Sequence, residues 1–127
     1  MKQDKIKVIG FIRHSDLSNV EVKVLTIDNT LKSMQEFVGG YIECVYLHDG
    51  ILICNEEGKL HNLPKTVMLY DESVYNILDH VHGNCFLCCD DRDGEFCDLA
   101  DIDRKFNNIM HGHFMNYRQV QYPLLPY

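Results

Sequence analysis

"VGGYIECVYLHDGILICNEEGKLHNLP", residues 38–64, carries the reading of the fold. Two apolar runs, 41–48 and 51–55, flank Asp49-Gly50. That dipeptide suits a type I′ hairpin turn, which needs positive φ at both central positions. A two-residue turn there predicts a register: His48 opposite Ile51, Leu47 opposite Leu52, Tyr46 opposite Ile53 and Val45 opposite Cys54. Side chains alternate along a strand. Val45, Leu47, Leu52 and Cys54 therefore share one face, and Ile42, Cys44, Tyr46, Ile51 and Ile53 share the other. Both faces are apolar, so the hairpin is expected to be central in its sheet or to lie at an interface. Cys44 and Cys54 fall on opposite faces and are not expected to pair. The glycine before the hairpin, Gly39, ends a helix, because the residue just past a helix C-terminus takes positive φ. After the hairpin, Glu56-Glu57-Gly58-Lys59 reads as a turn and 60–66 as a loop containing Pro64.

The flanks extend this sheet. Residues 5–12 (KIKVIGFI) read as a first strand and 13–19 as a polar loop. Residues 20–27 (VEVKVLTI) alternate, with Val20, Val22 and Val24 on one face and Glu21 and Lys23 on the other. Asp28 or Asn29 offers an N-cap for a short helix with the stripe Leu31, Met34, Phe37 and Val38. Residues 67–70 form a short strand. Asp71 caps a predicted helix through about Val81, with Val74, Ile77, Leu78 and Val81 inward, and Gly83 breaks it. Residues 84–89 (NCFLCC) are a further strand. Asp98 or Asp101 starts a last helix with the stripe Leu99, Ile102, Phe106, Ile109 and Met110. The sum is an α+β fold, a small mostly antiparallel sheet of about five to six strands with two to three short helices. The predicted organisation is one domain over 1–110 and an aromatic, proline-containing arm over 111–127.

At 127 residues and 46% apolar composition the chain supports one core. No apolar run approaches the roughly 20 residues that span a bilayer. No leader pattern opens the chain, so a cytoplasmic protein without membrane contact is expected. The net charge is −7, and the segment 90–103 holds seven acids against one base, Arg92. No basic stripe tracks a phosphate backbone, which argues against direct nucleic-acid binding. The acidic segment could instead meet a basic protein or mimic DNA.

Six cysteines and seven histidines raise the question of metal. Cys85-x-x-Cys88 lies within an apolar strand, where residues three apart point to opposite faces, unlike the converging sulfurs of a zinc turn. Cys85, Leu87 and Cys89 face one way, Phe86 and Cys88 the other, and such cysteines act as small hydrophobes. A calcium loop centred on Gly94 would place Cys89 first and Ala100 twelfth, and neither supplies the needed carboxylate. Gly39-Gly40 follows a helix, the wrong end for a phosphate cradle. No spacing specifies a Cys–His pair, and Glu56-Glu57 sits in a turn where solvation is the default. No catalytic residue, metal ligand or cofactor is therefore assigned.

"TIDNTLKSMQEFVGGYIECVYLHDGILICNEEGKLHNLP", residues 26–64, resembles a small phage and bacterial family catalogued as a domain of unknown function. The family's pattern is a strand, a short helix ending in VGGYIE, a hairpin, NEEGKL and a proline loop. "GNCFLCCDDRDGEFCDL", residues 83–99, resembles its second block of glycine, apolar strand and acidic turn. Cysteines here stand where relatives carry aliphatic residues, consistent with core roles. The resemblance implies a small intracellular accessory protein, often phage-encoded, and such proteins often counter host defence. It supplies no catalytic residues.

That context implies an anti-defence protein that binds and sequesters a small nucleotide-derived immune signal without altering it. The chemistry allows it: Tyr41, Tyr46 and Tyr70 for base stacking, Lys59, Lys65 and Arg13 for charge, and Asn55 and Asn62 for hydroxyls or base edges, with the stretch from Glu56 to Pro64 as the rim of the site. NEEGKLHNLP, residues 55–64, is a polar loop after a strand, where binding residues gather. The two-sided hairpin and the aromatic arm suit a homo-oligomer. The alternatives are an acidic module docking on a host defence protein and a small metal protein or enzyme.

Overall fold

The computed structural model describes residues 2–14, 19–47, 50–71, 76–110 and 121–123, and the side chains among these except at 70, 71, 76–78 and 121–123. β1 (Lys5–Ile12) pairs antiparallel with β2 (Glu21–Asp28), and the ladder is continuous from Lys5↔Asp28 to Ile12↔Glu21. α1 (Leu31–Val38) follows. β3 (Ile42–Leu47) and β4 (Gly50–Asn55) form the hairpin, β5 (Lys65–Asp71) and β6 (Asn76–His82) a second one, and β7 (Cys85–Asp90) and β8 (Phe96–Cys97) a third. α2 (Ile102–Met110) and β9 (Gln121–Pro123) complete the described elements. The main sheet has the order β2-β1-β7-β4-β3, with β8 on β7, and a second sheet has the order β6-β5-β9. Every pairing is antiparallel except β5 with β9, so the fold is α+β and mostly antiparallel.

Strict alternation on the main sheet builds a core on each face. Ile6, Val8, Ile51, Ile53, Phe86 and Cys88 point towards α1, which returns Met34 and Val38. Phe37 stands edge-on to Phe86 at 5.3 Å between ring centres. Ile9, Phe11, Leu52, Cys54, Cys85 and Leu87 point the other way, against Val67, Leu69 and Val81 of β5 and β6, Leu99 and Ile109. Burial of each such aliphatic side chain contributes about 1.5–3 kcal/mol. β4 is central, between β3 and β7, and its residues are the most deeply buried of the hairpin.

Several expectations hold in detail. Gly39 terminates α1 at φ 82°, and its N–H donates to the Gln35 carbonyl at 2.8 Å. The predicted face assignments of β3, β4 and β7 match the two cores except at Tyr46, which is exposed and belongs to neither. All six cysteines are free, and Cys44 and Cys54 do sit on opposite faces.

Three expectations are corrected. The hairpin register pairs Leu47 with Gly50 and Val45 with Leu52, so the connection is 48–49, which lies outside the described residues. The shift moves each partner by two residues, which preserves the faces. Gly50 is a strand residue, required because a Cβ there would stand 2.6 Å from the Cys88 carbonyl oxygen of β7. The helix expected from Asp71 to Val81 is instead the β5–β6 hairpin; Val74 lies outside the described residues, as do 111–120 and 124–127 of the arm. The strand wins because Val67, Leu69 and Val81 close the second core only from a ladder. The cap of α1 is Thr30, whose Oγ1 accepts from Ser33 N–H at 3.1 Å. Asn29 is buried and uses its Nδ2 to donate to the Gln3 and Phe96 carbonyls.

Candidate functional site

The two sheets do not close on each other at the β3 end. Between them lies a cleft of about 430 Å³, walled by Glu43, Cys44 and Val45 of β3, Cys54 and Asn55 of β4, and Asp79, His80, Val81 and His82 of β6. Glu56, Gly58 and Lys59 of the connecting turn form its rim. Its position follows from topology: β3 is the edge of the main sheet, and the 56–64 turn carries the chain from β4 across to β5.

The turn is held by its own backbone. Gly58 N–H donates to Asn55 O, His61 N–H to Glu57 O, Asn62 N–H to Lys59 O and Leu63 N–H to Gly58 O. Gly58 is pressed against β6 so closely that a Cβ would stand 2.2 Å from the His82 carbonyl oxygen. Asn55 is buried and locks the entry to the turn: its Nδ2 donates to Val38 O at 3.1 Å and its Oδ1 accepts from Glu57 N–H at 2.7 Å. Glu57 and His61 pair side by side at 3.2 Å on the outer surface.

The charges inside the cleft are mixed. Lys59 Nζ donates to Asp79 Oδ1 across the rim, and Asp79 also accepts from His80 N–H at 2.8 Å. Burial works to raise the Asp79 carboxyl, but those two donors and the Lys59 charge outweigh it and hold it below the ordinary range. Burial lowers the affinity of the His80 ring for a proton, and Lys65 lowers it further. His82 Nδ1 lies 2.8 Å from the Leu63 carbonyl oxygen. An imidazole nitrogen facing a carbonyl must carry the proton, so in the neutral ring Nε2 is an acceptor. The Cys54 thiol is pushed up to about 12 by burial and by Glu43, which makes it an unreactive wall rather than a nucleophile. The cleft thus offers carboxylate acceptors (Glu43, Glu56), ring nitrogens (His80, His82) and one ammonium, on a partly apolar floor.

Of the nine residues singled out from sequence, Asn55, Glu56 and Lys59 line this cleft. Lys65 starts β5 opposite His82, and Arg13 donates from Nη1 to the Lys65 carbonyl at 2.6 Å, but neither is among the residues that line the cleft. Asn62 is exposed on the turn, in the left-handed region at φ 55°. Tyr41 is 69% exposed and lines a separate depression with Gln35, Gly40, Glu57 and His61. Tyr46 is 64% exposed and lies beside Lys105 and Asp90. The tyrosines described therefore do not converge on the cleft; the Tyr70 side chain lies outside the described residues. His80-x-His82 draws notice in the sequence only as a possible metal-ligand pair, and Asp79 not at all. With the helix expected through about Val81, only a strand reading of DHVH places His80 and His82 together on one face.

The acidic segment is partly internal. Asp91 Oδ1 accepts from the Asp93 and Glu95 N–H groups, Asp98 Oδ1 accepts from Lys7 N–H, and Asp101 pairs with Arg104. Among the described residues, no three His, Cys, Asp or Glu side chains converge to hold a metal ion, and no helix is long and apolar enough to cross a membrane.

A family model described as "Domain of unknown function (DUF3846)" matches residues 13–111. Comparison with curated proteins and with solved structures yields no match.

Proposed function

The chain belongs to this DUF3846 family, whose matched span takes in both walls of the cleft, and on that premise we propose that it binds and sequesters a small nucleotide-derived signal between its two sheets without altering it. The cleft carries the reading. Its volume of about 430 Å³ falls within the range of roughly 300–1,000 Å³ common for small-ligand sites. Glu43 and Glu56 suit the donors of a nucleoside, its sugar hydroxyls and exocyclic amino groups, while His82 Nε2 accepts a third. Those same carboxylates repel phosphate. The phosphate end therefore turns away from them, towards His80, which lines the cleft within reach of the Lys65 charge. An anti-defence role, in a phage-encoded homo-oligomer acting in the host cytoplasm, follows from the kind of protein the family pattern resembles.

The test is native mass spectrometry of protein taken from cells with an active nucleotide-signalling defence, repeated after denaturation. The expected result is a small molecule that is carried by the folded protein and released unchanged. The same compound should raise the melting temperature, since ligand at 100 times its Kd adds about 2.7 kcal/mol. Replacing Glu56 by Lys should abolish that rise. A released molecule chemically altered relative to its source would mark an enzyme. No bound molecule, together with no shift from any nucleotide tested, would reject sequestration.

A further inference from the structure

Cys89 and Cys97 are direct partners in the β7–β8 ladder. Directly opposed residues on antiparallel strands project to the same face with their Cβ atoms about 4.5–5.5 Å apart. The Asp91 N–H donates to the Glu95 carbonyl at 2.8 Å, so 91 and 95 form a hydrogen-bonded pair. Hydrogen-bonded and non-hydrogen-bonded pairs alternate, and 89 and 97 are two positions along from 91 and 95, so they belong to the hydrogen-bonded class. Its Cα separation is about 5.5 Å, and a disulfide takes about 4.4–6.8 Å with the Cβ atoms at about 3.5–4.5 Å. The Cα spacing fits as it stands; hydrogen-bonded pairs hold their Cβ atoms at the wider end of their range, so these must draw in by about 1 Å. β8 is only two residues long and can give that much.

Access separates this pair from three of the other four thiols. Cys54, Cys85 and Cys88 are buried, while Cys89 and Cys97, like Cys44, are partly exposed. Cys88, the neighbour of Cys89, points to the α1 side and has no route to Cys97. Cys44 lies on β3, across β4 from β7.

We propose that Cys89 and Cys97 form a reversible cross-strand disulfide that staples the 90–96 turn. With a small external disulfide RSSR as oxidant, one thiolate attacks a sulfur of RSSR, forming a mixed disulfide and expelling RS⁻. The second cysteine then attacks the protein-bound sulfur and expels another RS⁻. Two protein thiols are oxidised to one S–S bond, RSSR is reduced to two RSH, and the two thiol protons end on those products. The segment between the cysteines, DDRDGEF, is acidic, so a neutral disulfide such as 2-hydroxyethyl disulfide is the probe that avoids charge repulsion.

The full chain is incubated with that disulfide, the remaining thiols are alkylated, and the protein is cut with trypsin, which cleaves after Arg92 between the two cysteines. The expected result is a fragment ending at Arg92 linked to one containing Cys97, assigned to Cys89 by fragmentation. It should appear at least tenfold faster than modification of Cys54, Cys85 or Cys88 and be reversed by reductant. In Cys89→Ser the link should vanish and the probe should remain on Cys97; in Cys97→Ser it should remain on Cys89. Persistence of the link in Cys89→Ser would overturn the proposal. So would mixed disulfides on both cysteines of the wild-type chain that never resolve to a link.

Discussion

At the scale of single residues, Asn55 shows how a side chain lining a cleft can be committed to architecture. Both ends of its amide are used, on Val38 and Glu57, and the residue is buried. Asn55→Ala leaves a buried carbonyl and an N–H without a partner, at a cost of about 1–3 kcal/mol for each such group. Urea denaturation should show a loss of at least about 2 kcal/mol; a change below 0.5 kcal/mol would mean that the turn does not depend on it. His80 works in the other direction, since its contribution varies with pH. Its folded-state affinity for a proton is lowered by burial and by Lys65. Below the ordinary histidine pKa of about 6.5 the unfolded chain therefore binds more protons than the folded one, and stability falls as pH drops. Above that range His80 contributes no slope. Asp79, with its carboxyl held low, adds a separate loss at more acidic pH, because it stabilises the fold only while ionised. Denaturation midpoints measured at intervals from pH 7.5 to 5 should decline, and His80→Gln should flatten the upper part of that decline. An unchanged slope in the variant would assign the effect to other groups.

At the scale of elements, what the sequence made legible depended on how many readings a pattern permits. The runs KIKVIGFI and CFLCCD are too apolar and too short for anything but buried strands. Gly39 marked the end of α1 because positive φ and a following strand leave little choice. Gly50 misled, since the turn chemistry of Asp-Gly is local while the actual demand is the Cys88 carbonyl on a strand far away in sequence. Residues 74–81 misled for the same reason. Their apolar spacing of three and four residues matches a helix, and only the distant partners of Val81 in the second core decide for the strand at Asn76–His82. The cleft inherited that error: its rim at 56–59 was visible as a polar turn after a strand, but its far wall at 79–82 was hidden in a helix. Gly58 joins the two walls and gives a test at this scale. A methyl group at Gly58 would collide with the His82 carbonyl oxygen, so the turn must move outwards. Gly58→Ala should cost about 1–3 kcal/mol as an overpacked contact and weaken ligand binding at least tenfold. Gly94→Ala is the control for glycine removal in a turn. Its open surroundings leave only the strain of φ 83°, far from the cleft, so ligand affinity should be unchanged. Equal loss of binding in both variants would mean that the effect is general destabilisation.

At the scale of the whole molecule, one sheet serves two cores, and β7 is its hinge of information. Phe86 faces α1 and Leu87, the next residue, faces the second sheet and α2. Neither core can lose its sheet face without exposing the backbone ladder that the other core rests on, since β7 pairs with both β1 and β4. Damage on one side should therefore be felt by the whole chain. Phe86→Ala is expected to cost about 3–5 kcal/mol and Leu87→Ala about 2–5 kcal/mol, and each should lower a single unfolding transition. Hydrogen exchange makes the comparison directly. In either variant, protection of the α1 amides and of the β5–β6 amides should fall by the same factor, because both open only with the main sheet. If Leu87→Ala instead released β5 and β6 while α1 kept its protection, the second sheet would be a separate cooperative unit. The cleft between the sheets would then open by local unfolding, and ligand would stabilise the β5–β6 side alone rather than raise the stability of the entire fold.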